Sequence, residues 1–230
     1  MSQPQKISNE ILELLEMANV VWTYKSEPHA SRPHVKLTSG MHSDGFVDVG
    51  KCLKHFPTAR LIVANYMVSK LYERWRGRAT KVVGADTGST LLAGDIANIM
   101  GIEHIRMIKK EEAGSKIQIW HPDNTPLKRS GELILHIEEL LTTGYSPTEV
   151  RKGIRAANPD ALINFVPFIP VVVERSNPDQ RVMIVENSAI ISLLQLSIRN
   201  FREGECRYCN AGSAVLEPKK DNNWARLTGK

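Results

Sequence analysis

The stretch Leu133–Pro147, LILHIEELLTTGYSP, decides how the rest of the chain is read. An apolar run, LILHI, has the length of a buried strand. It ends in adjacent carboxylates, Glu138 and Glu139, and after two leucines enters a loop of Thr142, Thr143, Gly144, Tyr145 and Ser146. Ser146, Pro147, Thr148 and Glu149 then match a helix start, with Ser146 as N-cap, Pro147 at the first helical position and Glu149 closing a capping box. A loop between the C-terminal end of a strand and a helix N-terminus offers unpaired N–H groups and the positive end of a helix dipole, a natural seat for phosphate. Thr142, Thr143 and Ser146 add hydroxyl donors, and Gly144 permits a turn that other residues resist. The carboxylates stand at the strand end, where ligands of open α/β sheets bind, and their natural partners are hydroxyls or a metal. A phosphate in the loop and a vicinal diol on Glu138 and Glu139 together describe a ribose 5-phosphate. The spacing alone fits a solvated loop with a good helix cap equally well, because short phosphate-loop patterns are unspecific.

Working outward, apolar runs alternate with helix-period segments, the pattern of an α/β fold with a mostly parallel sheet. KVVGA (residues 81–85) reads as a strand, DTGST as a tight turn and LLAGDIANIM as a helix stopped by Gly101. A helix is expected over residues 8–18. Another follows Pro57, with Val63, Met67, Leu71 and Trp75 on one buried face. IEHIRMIKK, ELILHI, FIPVVVER and RVMIVE complete the strands, with Pro170 placing its strand at an edge or marking its start. The polar stretch from Lys109 to Gly131 is long for a compact domain, and such stretches form lids, small hairpins or disordered segments.

The chain has 230 residues, 42% of them apolar, enough for one domain with a full core. No apolar run approaches the roughly 20 residues that span a bilayer. The first ten residues, MSQPQKISNE, lack the apolar middle of a signal peptide, so a cytoplasmic location and no membrane partner are expected. Three cysteines are too few for a secreted disulfide framework. The net charge of +5 carries no Lys/Arg stripe interleaved with aromatics, which argues against nucleic acid and for a small polyanion.

Five segments, in order, resemble the type I phosphoribosyltransferases, and among them most closely the members that use orotate. LILHIEELLTTGYS resembles the family's phosphoribosyl-pyrophosphate motif, and VVGADTGSTLLAGDIANIMGI its pyrophosphate turn and following helix. LTSGMHSDGFVDVGKCL resembles its base-side segment, IRMIKKEEAGSK the start of its mobile basic loop, and VVVERSNP its late strand. The resemblance implies a central, mostly parallel sheet flanked by helices with a small hood, in one domain over residues 1–230. Within it, residues 1–56 would form the hood and base side, 57–200 the core and 201–230 a tail.

The implied reaction moves ribose 5-phosphate from phosphoribosyl pyrophosphate to a nucleobase, here orotate, and releases pyrophosphate; the alternatives are a non-catalytic regulator of the same fold or a transferase for another base. Mg2+ is the implied cofactor, met by Glu138 and Glu139 through ribose or water. Lys109 and Lys110, with the two glutamates, are the implied catalytic groups. Asp86, Thr87, Gly88, Thr142, Thr143, Gly144, Tyr145 and Ser146 would bind phosphoribosyl pyrophosphate, and Lys36, Ser39, Gly40, Phe46 and Arg175 the base. A homodimer is also implied. Several residues depart from the family habit: both acids, Glu138 and Glu139, are Glu, Thr38 stands before Ser39 where Lys is usual, and His136 and Glu174 differ slightly from the usual residues at their positions. Near the C-terminus, Cys206 and Cys209 could supply half of a zinc site, but no suitable Cys or His pair accompanies them in the sequence. The tail is therefore expected to be a packing or interface element.

Overall fold

The computed structural model describes residues 3–112, 114–176 and 181–229. In chain order the elements begin with α1 (Gln3–Met17), β1 (Val21–Thr23), β2 (His34–Lys36), β3 (His42–Ser43), β4 (Gly45–Val47), α2 (Val49–His55) and α3 (Pro57–Arg74). Next come β5 (Lys81–Val83), α4 (Gly88–Met100), β6 (Glu103–Ile105), β7 (Met107–Glu112), β8 (Ser115–Trp120), β9 (Glu132–His136), β10 (Glu138–Leu141) and α5 (Tyr145–Ala157). The last are β11 (Ile163–Phe165), β12 (Phe168–Glu174), β13 (Ile184–Val185), β14 (Ser188–Gln195), β15 (Asn200–Phe201), α6 (Arg207–Asn210), β16 (Val215–Leu216) and α7 (Asn223–Thr228). Two compact units divide the chain: a larger one of Met1–Ala18, Val49–Arg175 and Val182–Leu196, and a smaller one of Asn19–Asp48, Ser176–Arg181 and Ser197–Lys230.

In the larger unit β11, β9, β5 and β6 form a fully parallel sheet in that order. A second sheet runs β10-β12-β14-β13, parallel except for the β13–β14 hairpin. Val82, Val83, Ile134, Leu135, Val171, Val172 and Val173 are buried on both faces, which is why these strands read as continuous apolar runs rather than alternating ones. Val150 and Ile154, one turn apart on α5, pack with Val83, Ile105, Met107 and Ile134 in one cluster. The fold thus sets the starts of α4 and α5 beside the C-terminal ends of the strands that precede them.

Several local expectations change. Val63, Met67 and Leu71 are buried on α3 as their spacing requires, but Trp75 lies past the helix end, as its C-cap, and is half-buried. Pro170 is in β12, an interior strand; it pairs with Ile191 on β14 before the β10 pairing begins at Val171, so its missing N–H interrupts no ladder on that side. RVMIVE supplies only Ile184–Val185 as strand, and the longer β14 follows a two-residue turn in which Glu186 and Asn187 both have positive φ, 42° and 64°. The polar stretch from Lys109 takes part in a six-pair antiparallel ribbon, β7 with β8, that begins at Met107.

The smaller unit packs Trp22, Val35, Leu216 and Leu227 around a sheet of order β15-β3-β2-β16. The C-terminal segment supplies both outer strands, with β15 on β3 and β16 on β2. It also brings Cys206 and Cys209 against His34 and His42. The sequence expectation that no histidine pair accompanies these cysteines is therefore overturned: the histidines lie more than 160 residues earlier, and only the β2–β3 hairpin brings them together.

Candidate active site

β10 carries both carboxylates, and successive strand residues point to opposite faces. Glu138 is 1% exposed. Its Oε1 accepts hydrogen bonds from Ser146 Oγ at 3.2 Å and lies 3.2 Å from His136 Nε2, while Oε2 accepts from Ser89 Oγ at 3.3 Å. Ser89 opens α4 and Ser146 opens α5, so one buried carboxylate ties two helix N-termini together, where both dipoles favour a negative charge. Burial holds the His136 imidazole below its ordinary pKa, opposed by its bond to Glu138. A neutral ring donating from Nε2 satisfies that geometry.

Glu139 takes the other face and is half-buried. Its amide donates to Ser89 Oγ at 3.0 Å. Its carboxylate lies over two glycines: a Cβ on Gly50 would sit 3.1 Å from both oxygens, and one on Gly88 would overlap Oε2 and come within 2.7 Å of Gly50 Cα. The backbone of α2, the start of α4 and the Glu139 carboxylate are thus packed as closely as chemistry allows, which is why glycine is needed at residue 88.

The two helix starts are built differently. Thr87 caps α4, its Oγ1 accepting from Ser89 N–H at 3.3 Å. For α5 the expected capping box is absent. The N-cap is Gly144 in the left-handed region at φ 77°, Ser146 is already helical and turns its hydroxyl to Glu138, and Glu149 pairs with Lys152. Competition from a buried carboxylate, a stronger acceptor than the helix has to offer, explains why the sequence cap is not used. Thr142, Thr143 and Gly144 form the bend before α5, with Thr143 and Tyr145 exposed.

No protein-family profile matches the chain. Orotate phosphoribosyltransferase from Acidithiobacillus ferrooxidans is 26% identical over 206 residues, covering 86% of this chain and 94% of that protein. Among solved structures, orotate phosphoribosyltransferase from Aeropyrum pernix superposes with a TM-score of 0.57 at 15% identity, over 81% of this chain and 93% of that one. Leishmania donovani UMP synthase gives 0.55 at 17% identity, over 96% of this chain but 41% of its own. The chain has the type I phosphoribosyltransferase fold.

In this phosphoribosyltransferase fold the Asp86 turn is joined to the β7–β8 ribbon. Asp86 N–H donates to Gln118 Oε1 at 2.9 Å, and its carboxylate accepts from Lys109 N–H at 2.9 Å. Asp86 therefore anchors the ribbon through both main and side chain, leaving Gly88 to present the amide that a helix start does not satisfy internally. Lys109 and Lys110 lie within β7 rather than on an open loop, and both are exposed. They point to opposite faces: Lys109 pairs with Gln118 and shares its side, while Lys110 pairs with Ile117 and approaches Glu112 at 3.9 Å.

Arg175 follows β12 in the larger unit and is buried. The other base-side candidates lie in the smaller unit. Lys36 ends β2, Ser39 and Gly40 form the exposed tip of the β2–β3 hairpin with Gly40 at φ 82°, and Phe46 packs edge-on against Trp224 at 5.8 Å. Gly50, Ser89 and Gln118 were not singled out from the sequence, and His136 only as a departure from the usual residue at its position. DTGST already contains Ser89, and the helix-start position could have flagged its hydroxyl; Gly50 and Gln118 reach the site only through tertiary packing.

Proposed function

We propose that this chain transfers the phosphoribosyl group of phosphoribosyl pyrophosphate to orotate, with Mg2+ as cofactor, as a cytoplasmic homodimer serving pyrimidine nucleotide formation. The observation that carries this reading is the convergence of two helix N-termini on Glu138, with Glu139 beside them. Two anion seats flanking a carboxylate suit a sugar with a 5-phosphate at one end and a pyrophosphate at the other.

The Thr142–Ser146 turn takes the 5-phosphate. Gly88 and Thr87 take pyrophosphate, and Glu139 accepts from the ribose hydroxyls. Glu138 positions the two helix starts. As the bond from C1 to the base nitrogen forms, the bond from C1 to the pyrophosphate oxygen breaks with its electron pair, and positive charge builds on the sugar. Lys109, on the Gln118 side of the ribbon, answers the charge gathering on pyrophosphate. The Glu139 carboxylate, a hard oxygen donor seated over Gly50 and Gly88, fits Mg2+ held through water or ribose, which when bound would neutralise part of the leaving group's charge.

Pyrophosphate release, measured with Mg2+, phosphoribosyl pyrophosphate and a panel of orotate, uracil, guanine and adenine, tests the assignment. Orotate should be preferred by kcat/KM, and Arg175→Ala should narrow its lead over uracil. A purine preference would remove orotate from the proposal, and phosphoribosyl pyrophosphate binding without turnover on any base would leave a non-catalytic regulator.

A further inference from the structure

Four side chains of the smaller unit, His34, His42, Cys206 and Cys209, place their ligand atoms within 4.8 Å of one another. His34 Nε2 lies 3.3 Å from His42 Nδ1, 3.4 Å from Cys206 Sγ and 3.6 Å from Cys209 Sγ, and His42 Nδ1 lies 3.1 Å from Cys209 Sγ. A tetrahedron with Zn–N of about 2.0–2.1 Å and Zn–S of about 2.3 Å has edges of roughly 3.3 Å between nitrogens and 3.6 Å from nitrogen to sulfur. Three of the observed separations lie within about 0.2 Å of those edges, and the fourth, His42 Nδ1 to Cys209 Sγ at 3.1 Å, is shorter. We propose that this cluster is a structural Zn2+ site of the Cys2His2 type.

The hydrogen bonds around the cluster point the same way. Ser213 Oγ donates its proton to the Arg32 carbonyl at 2.6 Å and lies 2.9 Å from His34 Nδ1. With its proton committed, the serine accepts, so His34 carries its hydrogen on Nδ1 and turns a lone pair from Nε2 into the cluster. That lone pair faces a second imidazole nitrogen and two sulfurs, a convergence of donors that a cation relieves. His34, His42 and Cys206 are at most 1% exposed, and the three cysteines of the chain are free thiols. Two thiolates and two neutral imidazoles around Zn2+ sum to zero charge, so burial carries no net-charge penalty. Sulfur and imidazole select zinc over magnesium, and four protein ligands leave no open position for catalysis.

Local structure supplies the arrangement. In the β2–β3 hairpin Lys36 pairs with His42 and Val35 with Ser43, which makes His34 and His42 diagonal neighbours on one face. Cys206 is the N-cap of α6 and Cys209 lies within its single turn, between the two outer strands β15 and β16 in the chain. Tyr208, itself buried, stacks on His34 at 5.4 Å. The ion would tie residues near position 40 to residues near 207, closing a long loop in a unit with a small core of its own.

The full-length chain, purified in reductant without chelator, should contain one zinc per chain by inductively coupled plasma mass spectrometry. Co2+ reconstitution should give a thiolate-to-cobalt charge-transfer band with the ligand-field bands of tetrahedral cobalt. Cys206→Ser/Cys209→Ser should lose the metal. Ser213→Ala, which keeps all four ligands, should weaken zinc about 10–100-fold in chelator competition. Substoichiometric zinc after reconstitution, cobalt bands without thiolate character, or full zinc in a folded double-cysteine variant would overturn the site. Should that variant not fold, undiminished zinc affinity in Ser213→Ala overturns it.

Discussion

Replacing Glu138 by Gln separates the roles of two adjacent carboxylates. Glu138 has three side-chain partners, at 3.2, 3.2 and 3.3 Å. Charge-assisted bonds contribute about 1.5–3 kcal/mol each and neutral ones about 0.5–1.5, so neutralisation removes roughly 1 kcal/mol per bond. Loss of the charge at two helix N-termini removes about 0.3–1 kcal/mol more at each. The separations are long, and a neutral amide is cheaper to bury, so the lower end applies, and a net loss of about 2 kcal/mol is expected. The best amide orientation keeps oxygen toward His136 and Ser146. Its NH2 then faces Ser89, whose Oγ already accepts the Glu139 amide and must turn its own hydrogen toward Thr87 Oγ1, 3.4 Å away. For a chain of this size the melting temperature should fall by about 4–8 °C. Glu139→Gln, at a half-buried position, should stay within about 0.5 kcal/mol of the parent and instead lower kcat/KM for phosphoribosyl pyrophosphate. Urea unfolding with steady-state kinetics on both variants measures this. Equal stability of Glu138→Gln and the parent, or equal destabilisation of the two variants, would refute the division between a positioning Glu138 and a substrate-facing Glu139.

Gly88→Ala should cost about 1–3 kcal/mol and most of the activity, because its Cβ meets backbone at Gly50. Gly50→Ala should be mild, since only the movable Glu139 carboxylate must yield, at 3.1 Å; comparing their melts checks the ranking. Lys109→Ala should lower kcat more than Lys110→Ala, because of the two only Lys109 shares the Gln118 face of the ribbon; equal losses in steady-state assays would contradict this. Burial depresses the His136 pKa from 6.5 against the raising influence of Glu138 and Glu186, with Arg151 adding to the depression. The unfolded chain then binds a proton below pH 6.5 that the folded chain refuses, so stability falls as pH drops below that value and levels off once pH is below the folded pKa. Urea midpoints across this range should show a shallower slope in His136→Gln.

Much of the architecture is legible in residue order, because strands buried on both faces leave apolar runs and because Gly101 and Gly144 mark backbone positions with φ of 64° and 77°. Strand Lys81–Val83, helix Gly88–Met100 and strand Glu132–His136 follow from local patterns, as does the bend of Thr142–Gly144 ahead of a helix. Short pairings in the smaller unit left no such trace: two- and three-residue strands have no periodicity to read, and their partners are far off in sequence.

Tertiary structure alone decided which way each side chain faces and what it meets. Glu138 and Glu139 are one pair in the sequence, yet the pleat sends one to Ser89, Ser146 and His136 and the other over Gly50 and Gly88. Ser146 fits a helix cap until a buried carboxylate competes for its hydroxyl. Cys206 and Cys209 become half of a four-ligand cluster when two strand pairings close a loop of more than 160 residues around His34 and His42. Local sequence carries propensity and periodicity; proximity between distant residues is a property of the folded chain.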